Sequence, residues 1–220
     1  MSDYPGKYFV IEGADGCGKT TQIELLKDHF ESKGYDVILV REPGGTKLGE
    51  RIREVLKDPS LEKMTTDAEC FLFFGPRAQL LSEVIAPAVR QGKIALADRC
   101  FLSTVAYQGH AGGFDVGLIK QNAQYLLSKY GISIDGGAVI LPEQDKKLLE
   151  GLLQEEIHID RFHRKNPEYH MRVNEAYRQL AKEFNLKIIP YIKGEKGKEK
   201  EAIGKMQQQM REYFDSLLIK

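Results

Sequence analysis

Residues Gly13-Ala14-Asp15-Gly16-Cys17-Gly18-Lys19-Thr20 follow the spacing G-x-x-x-x-G-K-[ST]. The chemistry that belongs to this spacing is the grip of a polyphosphate. Glycines let successive backbone N–H groups turn inward with no Cβ in the way. The start of a helix behind the loop adds partial positive charge. Gly13, Ala14, Asp15, Gly16, Cys17 and Gly18 supply the cradle. Lys19 is the cation for the β- and γ-phosphates, Thr20 offers a hydroxyl to Mg²⁺, and Thr21 is a further donor to phosphate oxygen. The bland alternative is a glycine turn that binds nothing. An apolar run before the loop and a helix-forming run after it weigh against that alternative.

A metal beside a phosphate grip needs a carboxylate. Lys93-Ile94-Ala95-Leu96-Ala97-Asp98-Arg99 ends an apolar run on one. Asp98 is therefore expected to hold Mg²⁺ through water, because that ion sheds its own shell reluctantly. The alternative use of such an Asp is a helix cap. Arg41, Arg77 and Arg99 stand at or near expected strand ends. Guanidinium forks bind phosphate through paired hydrogen bonds, so arginines facing a phosphate grip imply an acceptor that is itself anionic. For each arginine alone, a surface ion pair is the alternative. The chain has no Asn-Lys-x-Asp guanine-reading motif, which argues against a GTPase.

These groups need a scaffold. Tyr8–Ile11, Val37–Val40, Ile94–Ala97, Ala138–Leu141 and Lys187–Ile189 are short apolar runs of the kind buried on both faces. Helical patterns separate them, over Lys19–Ser32, Leu48–Leu56, Thr66–Gln91, Val116–Tyr130, Gln144–Glu156, Pro167–Phe184 and Ala202–Leu218. The alternation predicts an α/β fold with a five-stranded parallel sheet, helices on both faces and right-handed crossovers. Ligands then belong outside the carboxyl ends of the strands. Residues 1–220 read as a single domain.

Composition sets the outer limits. Lys and Arg number 32, matched by 32 Asp and Glu, and this balance argues against a coat for nucleic acid or an acidic membrane. Hydrophobic residues at 42% and charged residues at 29% describe an ordinary globular chain. Cys17, Cys70 and Cys100 are odd in number and lack paired short spacing, so neither a disulfide framework nor a zinc knuckle fits. With no leader pattern and no long apolar span, the expected location is the reducing cytosol. The charged run Lys193–Glu201 reads as a solvated loop.

Arg41-Glu42-Pro43-Gly44-Gly45-Thr46 follows the second strand, and Phe73-x-x-x-Arg77 lies in the third helix. Asp98-Arg99 is followed by Ser103-Thr104-Val105-Ala106-Tyr107-Gln108-Gly109. Together with a phosphate loop that contains an acid, these motifs resemble the thymidylate kinase family. The resemblance runs from Tyr8 to Gly109 and resumes more loosely over Asp160–Ala181. It implies a P-loop NTPase fold with a helical lid at about residues 143–166. It also implies transfer of the γ-phosphoryl group of ATP to dTMP, giving dTDP and ADP, with Mg²⁺ as cofactor and nucleotides as partners. A homodimer through the helix around 66–91 is implied as well.

On the same resemblance, Asp15 accepts a hydrogen bond from the acceptor's 3′-hydroxyl, and Arg41 and Arg99 hold the dTMP phosphate. Phe73 stacks on thymine, and Arg77 donates to a base carbonyl. Thr104 and Gln108 read the base edge, and Tyr107 crowds the sugar at C2′. From the residues alone, Phe73 and Tyr107 read equally as core. Gly75-Pro76 departs from the family pattern, and a proline there is expected to kink the helix and re-aim Arg77. The phosphate loop holds no arginine, and residues 146–160 hold none either. Because members of the family that lack an arginine in the phosphate loop carry arginines in the lid, the resemblance implies Arg161 as the transition-state arginine, with Arg164 as substitute and Lys19, Asp98 and Arg99 as its catalytic partners. The alternatives are a kinase of another nucleoside monophosphate, or a nucleotide-binding module with a degenerate lid and little turnover.

Overall fold

Side chains alternate along a strand, so an unbroken apolar run must find cover on both sides of its sheet. The computed structural model, which describes residues 6–142, 161–162, 165–194 and 197–218, meets that demand with one sheet between two helical layers. The strands are β1 (Lys7–Gly13), β2 (Val37–Arg41), β3 (Ile94–Asp98), β4 (Gly136–Leu141) and β5 (Lys187–Pro190). All neighbours are parallel, in the order β2-β3-β1-β4-β5. Each expected strand is present.

On one face Phe9, Ile11, Leu96 and Ile140 pack against α1 (Lys19–Ser32) and the Glu199–Leu218 helix, through Leu26, Phe30, Met210 and Phe214. On the other face Tyr8, Val10, Ala95 and Val139 meet the remaining helices. These include α3 (Thr66–Leu80), α4 (Ala86–Arg90), α5 (Phe101–Thr104), α6 (Val116–Tyr130) and the Pro167–Glu183 helix. The short α2 (Lys47–Lys57) packs along α3.

The expected helix Thr66–Gln91 is α3 and α4 joined by a wider π turn over Leu81–Ile85. Pro76, where a kink was expected, lies inside α3, which continues past it to Leu80. Helix α5 and the π turn Val105–Ala111 that extends it were not expected. The spacing of Leu102, Val105 and Ala106 carries a helical signal that would have found them. The expected helix at 144–156 and most of the expected lid lie outside the described residues. Among the described residues, no helix is long and apolar enough to cross a membrane.

Register brings the chemistry to one end. Ile11 on β1 pairs with Asp98 on β3, which also pairs with Arg41 on β2. The glycine loop, Asp98 and Arg99 therefore emerge side by side at the carboxyl ends of the strands.

Candidate active site

The loop from Gly13 to Gly18 needs conformations that L side chains rarely adopt. Gly13 has φ 141°, and a Cβ there would meet Ile140 O at 2.1 Å. Gly16 and Gly18 lie at φ 73° and 76°, and Gly18 caps α1 with no side chain over its first N–H groups. Lys19 folds back across the loop, donating to Ala14 O at 2.6 Å, with Nζ 4.0 Å from Asp15 Oδ1. Cys17 is buried, and its Sγ donates to Ala14 O at 2.8 Å. Burial pushes that thiol up, with the Lys19 and Arg99 charges opposing, so it remains an S–H.

Two clefts meet on this loop. The first is lined by Asp15, Lys19 and Thr20 on the loop side and by Asp98, Arg99, Phe73, Arg77, Thr104, Tyr107 and Gln108 beyond it. The second is lined by Gly16, Cys17, Gly18 and Thr21, with Tyr191, Ile192 and Lys193 following β5. The loop is their common wall.

At the floor of the first cleft, Thr20 Oγ1 lies 3.5 Å from Asp98 Oδ2. Asp98 Oδ1 is buried with no hydrogen-bond partner among the described residues. A carboxylate that keeps one buried oxygen bare and sets the other near a hydroxyl is a donor set suited to a hard cation.

Arg99 sits at φ 71°, in the left-handed region, and its side chain is held from two directions. Nη2 pairs with Asp15 Oδ1. Nη1 donates to Gly13 O at 3.1 Å, Ser103 Oγ at 3.1 Å and Tyr177 Oη at 2.9 Å. Both hydroxyls donate to Glu12 Oε2, at 2.6 Å from Ser103 and 2.9 Å from Tyr177. The other oxygen, Oε1, accepts from the N–H groups of Cys100 at 2.8 Å and Ser103 at 3.2 Å, which caps α5. Glu12 is fully buried at the end of β1. Asp15 Oδ2 takes the Tyr107 hydroxyl at 2.8 Å. Burial, aided by the Asp15 charge, pushes the Tyr107 phenol well above its ordinary range, so it stays a donor.

The far wall carries buried polar side chains in pairs. Arg77 is buried, donating through Nε to Glu42 Oε2 at 2.7 Å and through Nη2 to Thr104 Oγ1 at 2.8 Å. Burial raises the Glu42 carboxyl, and the Arg77 charge opposes that shift. The departure at Gly75-Pro76 has not taken Arg77 out of the cleft. Phe73 lines the cleft with its ring 6.3 Å from that of Phe162. Gln108 Nε2 donates to Glu69 Oε1 at 2.6 Å.

Two expected site residues are placed elsewhere. Arg41 is more than half exposed (54%) and pairs with Glu50 Oε2 at 2.8 Å, outside the lining of the cleft. Glu50 lies over the Gly44-Gly45 turn, accepting Gly45 N at 2.8 Å, and so draws the guanidinium away. Arg53 and Lys57 of α2 line the cleft instead. Arg161 is buried, pairing with Glu69 Oε2 and donating to Leu56 O at 3.3 Å. A buried guanidinium must be paired, and the buried Glu69 carboxylate takes it away from the phosphate loop. Arg164 lies outside the described residues. Glu12, Tyr177, Glu69, Arg53 and Lys57 were missed from sequence. Only Glu12, an acid inside an apolar run, carried a signal of its own.

A family model described as thymidylate kinase matches residues 11–203. A thymidylate kinase from Pelotomaculum thermopropionicum is 40% identical over 177 residues, covering 80% of this chain and 80% of that protein. One from a Thermoanaerobacter species is 37% identical over 188 residues, covering 84% and 88%. The crystal structure of thymidylate kinase from Ehrlichia chaffeensis superposes with a TM-score of 0.73 at 26% identity, over 96% of this chain and 98% of that one.

Proposed function

The chain belongs to the thymidylate kinase family, and from that membership we propose how its own side chains divide the work of moving the γ-phosphoryl group of ATP onto dTMP. The observation that carries the assignment is the phosphate loop shared by two clefts. Two nucleotides can meet there end to end, which in-line transfer between phosphates requires.

ATP lies with its base in the cleft beside Tyr191 and Lys193 and its phosphates over residues 13–21. Backbone N–H groups of the loop, Lys19 and the open start of α1 face the phosphate oxygens. dTMP lies in the first cleft. Arg99 holds its phosphate, with Arg53 and Lys57 on the same wall, and Asp15 accepts from the sugar. Phe73 covers the base, Arg77 donates to its carbonyl, and Thr104 and Gln108 meet its edge. Tyr107, fixed on Asp15, fills the space beside C2′. Lys19 and Arg99 neutralise charge as it spreads over the transferring group. No general base is needed, because a phosphomonoester is already largely ionised at neutral pH. The bare Asp98 oxygen and Thr20 Oγ1 fit Mg²⁺. When bound, that ion would neutralise charge on the β- and γ-oxygens.

A second copy of the chain is supported by the outer face of α3. Phe71 is 59% exposed and packs edge-on with Phe74 and Phe114 at 5.7 and 5.9 Å. The homodimer is assigned to that face.

The assay is ADP release with Mg²⁺, ATP and a panel of nucleoside monophosphates. dTMP is expected to give the highest kcat/KM. Lys19→Ala is expected to lower kcat by about 10²–10³-fold, the usual loss when a positioned charge-stabilising group is removed. Near-normal turnover in that variant, or preference for another monophosphate, would overturn the assignment.

A further inference from the structure

An amide has one donating end and one accepting end, and its neighbours decide which is left for a ligand. Gln108 meets Glu69, and both side chains are buried. A carboxylate only accepts, so Gln108 must give Glu69 its NH₂. Arg161 occupies the other Glu69 oxygen and is itself braced on Leu56 O. With the NH₂ committed, the carbonyl of Gln108 is the end left for the cleft that this residue lines.

Arg77 supplies the complementary group. Its Nε and Nη2 are taken by Glu42 and Thr104, while Nη1 is buried without a partner among the described residues. Thr104 stands one helical turn before Gln108, so the Arg77 donor and the Gln108 acceptor line the same wall. A donor beside an acceptor complements a carbonyl next to a ring N–H, the imide edge of thymine. Cytosine presents an amino group and a bare ring nitrogen, which reverses both contacts.

We propose that Glu69 is a specificity-determining positioning residue: it locks the Gln108 amide with its carbonyl toward the cleft, so that the site accepts an imide base and rejects an aminopyrimidine. The proposal rests on the reading of this cleft as the acceptor site. Arg161 holds the lock closed by keeping the carboxylate in place. Nothing in the phosphate grip is asked to discriminate.

The test is the ratio of kcat/KM for dTMP to that for dCMP, measured in the wild-type protein and in Glu69→Gln. In that variant the new amide takes the Arg161 donor on its carbonyl and turns its NH₂ toward Gln108. The Gln108 amide then inverts and shows its NH₂ to the base. The ratio is expected to fall by about tenfold or more, the usual scale for a polar contact reversed in a buried site. A smaller change overturns the proposal, whatever happens to overall activity, because a purely structural role lowers both rates together. Glu69→Asp keeps an acceptor-only group and decides the matter if Glu69→Gln does not fold. Its ratio is expected to stay within about tenfold of wild type, and a larger fall overturns the proposal. A wild-type protein that does not phosphorylate dTMP would sink the acceptor-site reading and the proposal together. A selective wild type with an equally selective Glu69→Gln would sink only the role of Glu69.

Discussion

Glu12→Gln isolates the anchor of Arg99, because the substitution keeps shape and removes charge. The carbonyl of the new amide can still take the N–H groups of Cys100 and Ser103. Its NH₂ then faces the hydroxyls of Ser103 and Tyr177, whose protons now point at Glu12 Oε2. Those hydroxyls already accept from Arg99 Nη1, and accepting from the new NH₂ as well would leave their own protons without the carboxylate they now donate to. Two charge-assisted hydrogen bonds of about 1.5–3 kcal/mol each are lost. The Arg99 guanidinium also loses a carboxylate whose Oε2 lies 4.0 Å from Nη1. Breaking one side of a buried charge network costs about 3–5 kcal/mol, which for a chain of this length corresponds to a Tm lower by about 6–20 °C. Urea titration and thermal melting at pH 7 give the value directly. Loss of less than about 1 kcal/mol would refute the reasoning, since that is the size of one ordinary neutral hydrogen bond. Tyr177→Phe combined with Glu12→Gln is expected to be clearly less than additive, because both remove the same contact.

Two further outcomes follow from the structure. Asp98→Asn removes the negative charge from the carboxylate beside Thr20, and the Mg²⁺ concentration for half-maximal rate is expected to rise by about tenfold or more; an unchanged Mg²⁺ dependence would take Asp98 out of the metal site. Burial pushes the Asp215 carboxyl up, but hydrogen bonds from Lys33 at 2.6 Å and His29 at 3.0 Å more than offset this and hold its pKa below the ordinary value. A depressed carboxylate stabilises the fold above its unfolded pKa and loses that contribution as pH falls through its folded pKa. Asp215→Asn is therefore expected to cost about 0.5–1 kcal/mol at pH 7, a modest sum because the pair is partly solvated, and progressively less as the pH falls below the ordinary carboxylate range. An equal loss at neutral and at acid pH would contradict the assignment.

What the sequence made legible was local. The phosphate loop is specified by glycines within a few residues of one another, because backbone conformation is a short-range property. Asp98 could be found because an apolar run ends there and parallel sheets present ligands at that end. The five strands followed from runs that only burial on both faces explains. What the sequence hid was the choice of partner. Arg41 stands in register with Asp98 on the neighbouring strand, yet its guanidinium goes to Glu50, an acid nine residues later on α2. Arg161 was expected over the phosphates by counting cations, but a buried guanidinium goes wherever a buried carboxylate can neutralise it. Glu69, on the distant α3, is that carboxylate. The reverse holds for Arg99: its sequence neighbours predict the site, but Glu12, Ser103 and Tyr177, from three different elements, fix the direction of its fork. Each of these side chains had more than one oppositely charged or hydrogen-bonding partner within reach of the chain, and only packing decides among them. Arginine number is for that reason a poor guide to catalytic charge, and the placement of buried acids is a better one. Here Glu12, Glu42 and Glu69 determine which edges of Arg99, Arg77 and Gln108 are left for ligands.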